Sequence, residues 1–175
     1  MTAEDLLANP VENMCTELVA GHILVRDPPG YRHGYVAARL LVAIANHVNA
    51  HALGIVLAAE SGFTLFRNPD TVRAPDVAFI RAERAPAESM DTYPEFAPDL
   101  AVEVLSPSDR AGKVLSKVGD WLDAGARLVW IVDPVRRVAR VYRADGTVTS
   151  LSADDSLDGE DVLPGLSLSV AAMID

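Results

Sequence analysis

The sequence predicts a mixed α/β domain, and three observations predict it. Short apolar runs of strand length recur along the chain, two longer stretches carry apolar residues at helical spacing, and Pro and Gly clusters separate them. With 175 residues, half of them apolar, the chain has the size of one domain over residues 1–175. A chain of that length buries roughly 70% of its unfolded surface.

Taken in order, residues 4–8 predict a short helix and 17–27 a strand pair turning at Ala20-Gly21, with Pro28-Pro29-Gly30 closing the hairpin. From Gly34 to about Ala52, Val36, Leu40, Ala43, Ile44 and Val48 recur at helical spacing, and Gly54 supplies the stop. Residues 55–67 read as two short strands or one broken strand around Glu60-Ser61-Gly62. Arg73-Ala74-Pro75 then leads into a strand over Asp76–Ile80. The 82–98 segment holds Pro86, Pro94 and Pro98 and little periodicity, so it reads as a connecting loop, long enough for a lid or a substrate-facing loop.

In the 98–105 run, Leu100, Val102 and Val104 share one face, and period-2 geometry sends Glu103 to the other. A lone buried carboxylate costs several kcal/mol unless it is paired or bound to a metal, so this Glu needs a partner, and a divalent cation is one. Ser106-Pro107-Ser108-Asp109 suits a helix N-terminus, and Gly125 suits its end. Val114, Val118 and Trp121 form the apolar line of that helix. Lys117 flanks the line, and Lys113 lies about 40° further toward solvent on a wheel of about 100° per residue. Leu128–Val132 is a continuous apolar run, as in a strand covered on both faces. After Asp133-Pro134, Val138–Tyr142 returns as an antiparallel partner. Thr147-Val148-Thr149 and Val162-Leu163-Pro164-Gly165 read as a further hairpin and a tail.

Composition narrows the function. The formal charge of −10 opposes a broad duplex-binding surface, so any DNA contact must be local. Arg136, Arg137, Arg140 and Arg143 lie together with no acid among them, and a solvated strand face is the ordinary reading of them. The apolar run around Leu40–Ala45 falls far short of the roughly 20 residues of a membrane span, and Glu4 and Asp5 stand where a leader would be basic. A soluble, cytoplasmic protein without a membrane partner is expected. The single cysteine, Cys15, cannot form an internal disulfide. His47 and His51 have a metal-compatible spacing, but no acid accompanies them and a polar helix edge is the ordinary reading.

The chemistry-bearing residues are Asp76, Glu103 and Lys117, on three successive elements. Mg²⁺ takes oxygen ligands and keeps several waters, so Asp76, Glu103 and the Val104 backbone carbonyl meet its needs. An ammonium beside it would orient a water or stabilise charge gathering on phosphorus. The only lysines of the chain, Lys113 and Lys117, share one helix with Asp120 and Asp123, with which Lys117 could pair on a solvated edge.

Arg73-Ala74-Pro75-Asp76-Val77, Ala101-Val102-Glu103-Val104-Leu105-Ser106-Pro107-Ser108, the Lys117–Gly125 segment and Val129-Trp130-Ile131-Val132-Asp133-Pro134 together resemble the Uma-two family of restriction-endonuclease-like proteins. His33 and the Leu163-Pro164-Gly165 tail extend the likeness over nearly the whole chain. The resemblance implies the PD-(D/E)-x-K nuclease fold, a mixed central sheet flanked by helices, here with added N- and C-terminal β-hairpins. It also implies a Mg²⁺-dependent phosphodiesterase centre, with Mn²⁺ as a substitute, acting on DNA. On that mapping Asp76 and Glu103 are metal ligands. The superfamily lysine would stand at position 105, which is Leu; Lys117 stands where this family carries it. An acid four residues before that lysine is replaced by Lys113, and Glu60 is a further acidic candidate. The rival readings are a nuclease-fold module that no longer cuts and serves binding or assembly, as a homodimer, and a hydrolase of smaller phosphoesters.

Overall fold

The computed structural model describes residues 1–11, 14–86 and 91–175. Its centre is a six-stranded sheet in the order β10-β9-β8-β7-β6-β3. These strands are β3 (Gly54–Ala58), β6 (Val77–Arg81), β7 (Leu100–Val104), β8 (Leu128–Asp133), β9 (Val138–Arg143) and β10 (Val148–Leu151). Only β7 and β8 run parallel. Parallel neighbours need a crossover, and α3 (Ala111–Asp123) supplies it. Every residue of β7 and β8 is buried, which explains why Leu128–Val132 shows no polar alternation.

The two faces of the sheet are covered separately. Val36, Leu40, Ile44 and Val48 of α2 (Tyr31–His51) pack on Val77, Phe79, Leu100, Val102 and Val104, together with the C-terminal residues Leu157, Leu163 and Ile174. Val118 and Trp121 of α3 pack on Ala78, Ile80, Ala101, Val129 and Ile131 of the opposite face. The odd and even positions of β6 and β7 therefore serve different helices, and Glu103 falls on the α3 side as its alternation requires.

A second sheet, β2-β1-β5-β4, comprises β1 (Cys15–Val19), β2 (His22–Arg26), β4 (Phe63–Phe66) and β5 (Thr71–Arg73). The N-terminal helix α1 (Ala3–Ala8), with a capping box between Thr2 and Asp5, packs Ala3 and Leu6 against Leu18 and Val72.

Three expectations need correction. The 106–109 segment does not cap α3: Asp109 accepts a hydrogen bond from the Ser106 amide at 2.7 Å and closes a turn, and the cap position falls to Arg110, whose side chain caps nothing. Gly54 does not stop α2. Ala52 does so in the left-handed conformation at φ 51°, and Gly54 begins β3. In the C-terminal part, β10 pairs with β9, and the further hairpin is β11 (Ser156–Asp158) with β12 (Ser167–Ser169), followed by α4 (Val170–Ile174). Val162-Leu163-Pro164-Gly165 is a turn inside that hairpin, with Leu163 buried in the core. The lid expected over 82–98 falls partly on residues 87–90, outside the described residues. On either side of them the loop is tied to the body of the protein: the Thr64 amide donates to Pro94 O at 2.9 Å, and Arg84 donates to Ala97 O.

No helix of the described residues is long and apolar enough to cross a membrane. The arginines of the 136–143 segment are largely neutralised, Arg136 by Asp133 at 3.1 Å, Arg143 by Glu160 at 2.7 Å and Arg137 by Asp175. They form no free basic patch.

Candidate active site

Asp76 stands one residue before β6. Val77 pairs with Val102, so the register continued by one residue sets Asp76 across from Glu103, and the Asp76 amide donates to Val102 O at 2.9 Å. Both carboxylates are buried, Asp76 at 8% and Glu103 at 5% exposure. Asp76 Oδ2 accepts the Val104 amide at 2.7 Å and meets His33 Nε2 at 3.2 Å. Its Oδ1 has no hydrogen-bond donor among the described residues.

Glu103 points to α3, two adjacent turns of which deliver its partners. Trp121 Nε1 donates to Oε1 at 3.0 Å, and Lys117 Nζ lies 2.8 Å from each oxygen. Lys117 and Trp121 are four residues apart on one helix, so they reach the same carboxylate from adjacent turns. The partner that the buried Glu103 requires is thus a lysine and an indole within the chain, and the lysine does not pair with Asp120 or Asp123. Asp120 instead binds Arg73 at 2.6 Å.

A third carboxylate escaped the sequence reading. Glu17 of β1 lies 2.7 Å from Lys117 Nζ and 2.8 Å from Arg73 Nη1, and accepts the Ala74 amide at 3.2 Å. Lys117 also donates to Ala74 O at 2.9 Å. Its ammonium is therefore held by two acids and a carbonyl. The signal was available: Glu17 sits in a short strand beside Leu18 and Val19, the same anomaly that singled out Glu103.

The charges interact strongly. Burial raises the Glu103 carboxyl to about 7, reinforced by the negative charges of Asp76 and Glu17 and opposed by Lys117. Burial also acts against the ionised form of Glu17, but Lys117 and Arg73 outweigh it and hold this carboxyl down at about 2. For Asp76, burial is outweighed by the hydrogen bond and charge of His33 and by the Val104 amide, so its carboxyl lies below the ordinary value. His33 is raised, the Asp76 contact outweighing burial. Its Nδ1 is buried without a partner.

These groups line a cleft of about 1070 Å³ bounded by the β1–β2 hairpin, the start of α2 and the start of α3. Glu60 lies on its wall, where it accepts from Cys15 Sγ at 3.0 Å, outside the cluster just described. Tyr93 reaches the wall from the 82–98 loop, and Lys113 stands exposed at the mouth. His47 and His51 are spent on backbone carbonyls of Pro164 and His47, and no group of three His, Cys, Asp or Glu has metal-site geometry among the described residues.

The donor chemistry nevertheless fits a hard cation. Asp76 lines the cleft and has one oxygen without a donor among the described residues, Glu103 lies across the strand pair, and the Val104 backbone is beside both. Two carboxylates and a carbonyl are enough for an ion that keeps several waters.

A mixed sheet carrying acids on adjacent strands, with a lysine from the crossover helix, is a nuclease-like α/β architecture. The chain belongs to the Uma2 family, described as "Putative restriction endonuclease", whose profile matches residues 4–171. Among solved structures it resembles the crystal structure of a "putative nuclease belonging to DUF820" from Anabaena variabilis. The TM-score is 0.86 at 21% identity, over 99% of this chain and 97% of that one, and this likeness establishes the fold. No curated protein matches the chain.

Proposed function

We propose that the protein is a Mg²⁺-dependent nuclease that hydrolyses DNA phosphodiester bonds. The observation that carries this reading is the convergence of Asp76, Glu103 and Lys117 at the floor of one cleft. Asp76, Glu103 and the Val104 carbonyl would hold the ion. When bound, it polarises the phosphodiester and lowers the pKa of a water ligand. The chain's own residues do the rest. His33 and the Val104 amide fix one oxygen of Asp76, leaving the other for the cleft. Trp121 fixes the orientation of Glu103. Glu17 and Ala74 O keep the Lys117 ammonium in place, where it stabilises the negative charge that gathers on the phosphoryl oxygens. Water oxygen bonds to phosphorus as the bond to the leaving sugar oxygen breaks, and one proton of that water ends on the sugar oxygen, which leaves as a hydroxyl.

The test is nicking of supercoiled plasmid and cutting of single-stranded DNA by wild-type and Lys117→Ala protein, with Mg²⁺, Mn²⁺ or EDTA. Metal-dependent cleavage lost in the variant is expected; equal cleavage by both proteins would reject the assignment. One observation favours the rival reading, a nuclease-fold binding module: Lys117 already occupies both oxygens of Glu103. Calorimetric titration with Mn²⁺ separates the two, since a module without a working site takes up no metal at millimolar concentration.

A further inference from the structure

Most cations of this acidic chain are spent on internal pairs. Among the described residues, Arg26, Arg67, Arg73, Arg81, Arg84, Lys117, Arg127, Arg136, Arg137 and Arg143 all meet a carboxylate. Arg32, Arg39, Arg110, Lys113 and Arg140 do not, and of these five only Arg110 and Lys113, both exposed, line the cleft that contains Asp76 and Glu103. They belong to α3, at its cap position and its third residue, with Lys117 four residues further on and facing the carboxylates. Spacings of three and then four residues place Arg110, Lys113 and Lys117 along one side of the helix, over about 10 Å of rise.

Two features make this stripe more than a solvated edge. Cations at a helix N-terminus oppose the macrodipole, and no acid in the first turn of α3 offsets them. Arg110 also holds the cap position without capping, where Ser, Thr, Asp or Asn would stabilise the helix. A local rule broken twice with no local gain marks a functional surface. Asp27 and Asp109 also line the cleft, and the latter is engaged by the Ser106 amide.

We propose that the Arg110–Lys113–Lys117 side of α3 is a phosphate track that leads one strand of a single-stranded nucleic acid from the cleft mouth to Asp76 and Glu103. Lys113 and Arg110 take the next two phosphates outward from the one that reaches Lys117. A single strand is the substrate form because the carboxylates are buried at the cleft floor, where a flexible strand can thread and a rigid duplex is held at the rim. A short cationic track on a chain of charge −10 also matches one strand better than two. This deepens the nuclease reading and rests on it for the direction of the track.

The test is fluorescence anisotropy in EDTA, so that turnover does not enter, with labelled single-stranded and duplex oligonucleotides over a series of salt concentrations. The variant is Arg110→Ser with Lys113→Gln, which installs a capping box and therefore preserves α3; Arg140→Ser removes an equally unpaired charge on β9 as control. The wild type is expected to bind the single strand more tightly than the duplex. The double variant is expected to bind the single strand at least ten times more weakly, with the salt slope reduced by about 1.4, for two phosphates at about 0.7 each. Unchanged affinity in the double variant, an equal loss in Arg140→Ser, or a wild-type preference for duplex would each overturn the proposal. Loss of binding in the double variant, with no metal-dependent cleavage by the wild type, would overturn the nuclease reading and leave the track standing.

Discussion

Glu17 and Glu103 share one lysine and respond to pH in opposite directions. The Glu17 carboxyl is held at about 2, below its unfolded value near 4.3. Its contribution to stability is therefore complete above about 4.3 and disappears as the pH falls toward 2, with a size on the order of 3 kcal/mol. Glu17→Gln is expected to lose about that much at pH 7 and to show a flatter decline in acid. Urea unfolding of both proteins between pH 2 and 7 checks this, and parallel pH profiles would refute it. Glu103 is raised to about 7, so its contribution is present below about 4.3 and is lost as the pH rises through 7. In EDTA at pH 8, Glu103→Gln should melt above the wild type, with the gap closing near pH 4.5, and in Mg²⁺ the same variant is expected to lose the plasmid nicking that the nuclease reading predicts for the wild type. Melting below the wild type at pH 8 would mean that the Lys117 contact, not burial, dominates at this position. Glu103 was legible from its strand alternation alone. Its partners were not, because Lys117 and Trp121 reach it only once the helix folds back over the sheet.

At the scale of elements, α3 illustrates how a turn can take over residues that would otherwise cap a helix. Its apolar line of Val118 and Trp121 followed from sequence periodicity, whereas its start moved to Ala111 because Asp109 closes a turn instead of capping. The α2–β3 connection is a second case. Gly54 looked like a helix terminator, yet its requirement comes from the sheet. A Cβ there would sit 2.0 Å from Ile80 O across the β3–β6 pair, at a φ of +152°. Gly54→Ala is expected to destabilise the protein by at least about 2 kcal/mol through strain and overpacking, read as a lower urea midpoint. A change below about 0.5 kcal/mol would show that the edge strand β3 shifts freely. The short strand β5 was missed because three residues carry too little alternation to read, and it exists only through pairing with β1 and β4.

At the scale of the molecule, a ligand that binds only the folded chain stabilises it by mass action. Mg²⁺ or Mn²⁺ at about 100 times its dissociation constant adds about 2.7 kcal/mol. For a domain of this size that is roughly 5–10 °C in Tm. The wild type is expected to show this shift and Asp76→Ala none; equal shifts would place the ion elsewhere, for example on the acidic surface. The sequence by itself determined the order of the main elements, the two-faced sheet and the anomalous Glu103, because period-2 and helical patterns record which side of each element is buried. It also singled out Lys117 over Lys113, since a helical wheel already separates the buried edge from the exposed one. Only the tertiary structure decided that Glu17 from the N-terminal hairpin joins the site, that His33 orients Asp76, and that the arginines of the 136–143 segment are mostly neutralised while Arg110 and Lys113 stay free. Each of these depends on which distant carboxylate or amide comes within about 3 Å, and no periodicity along one chain encodes a distance between two elements.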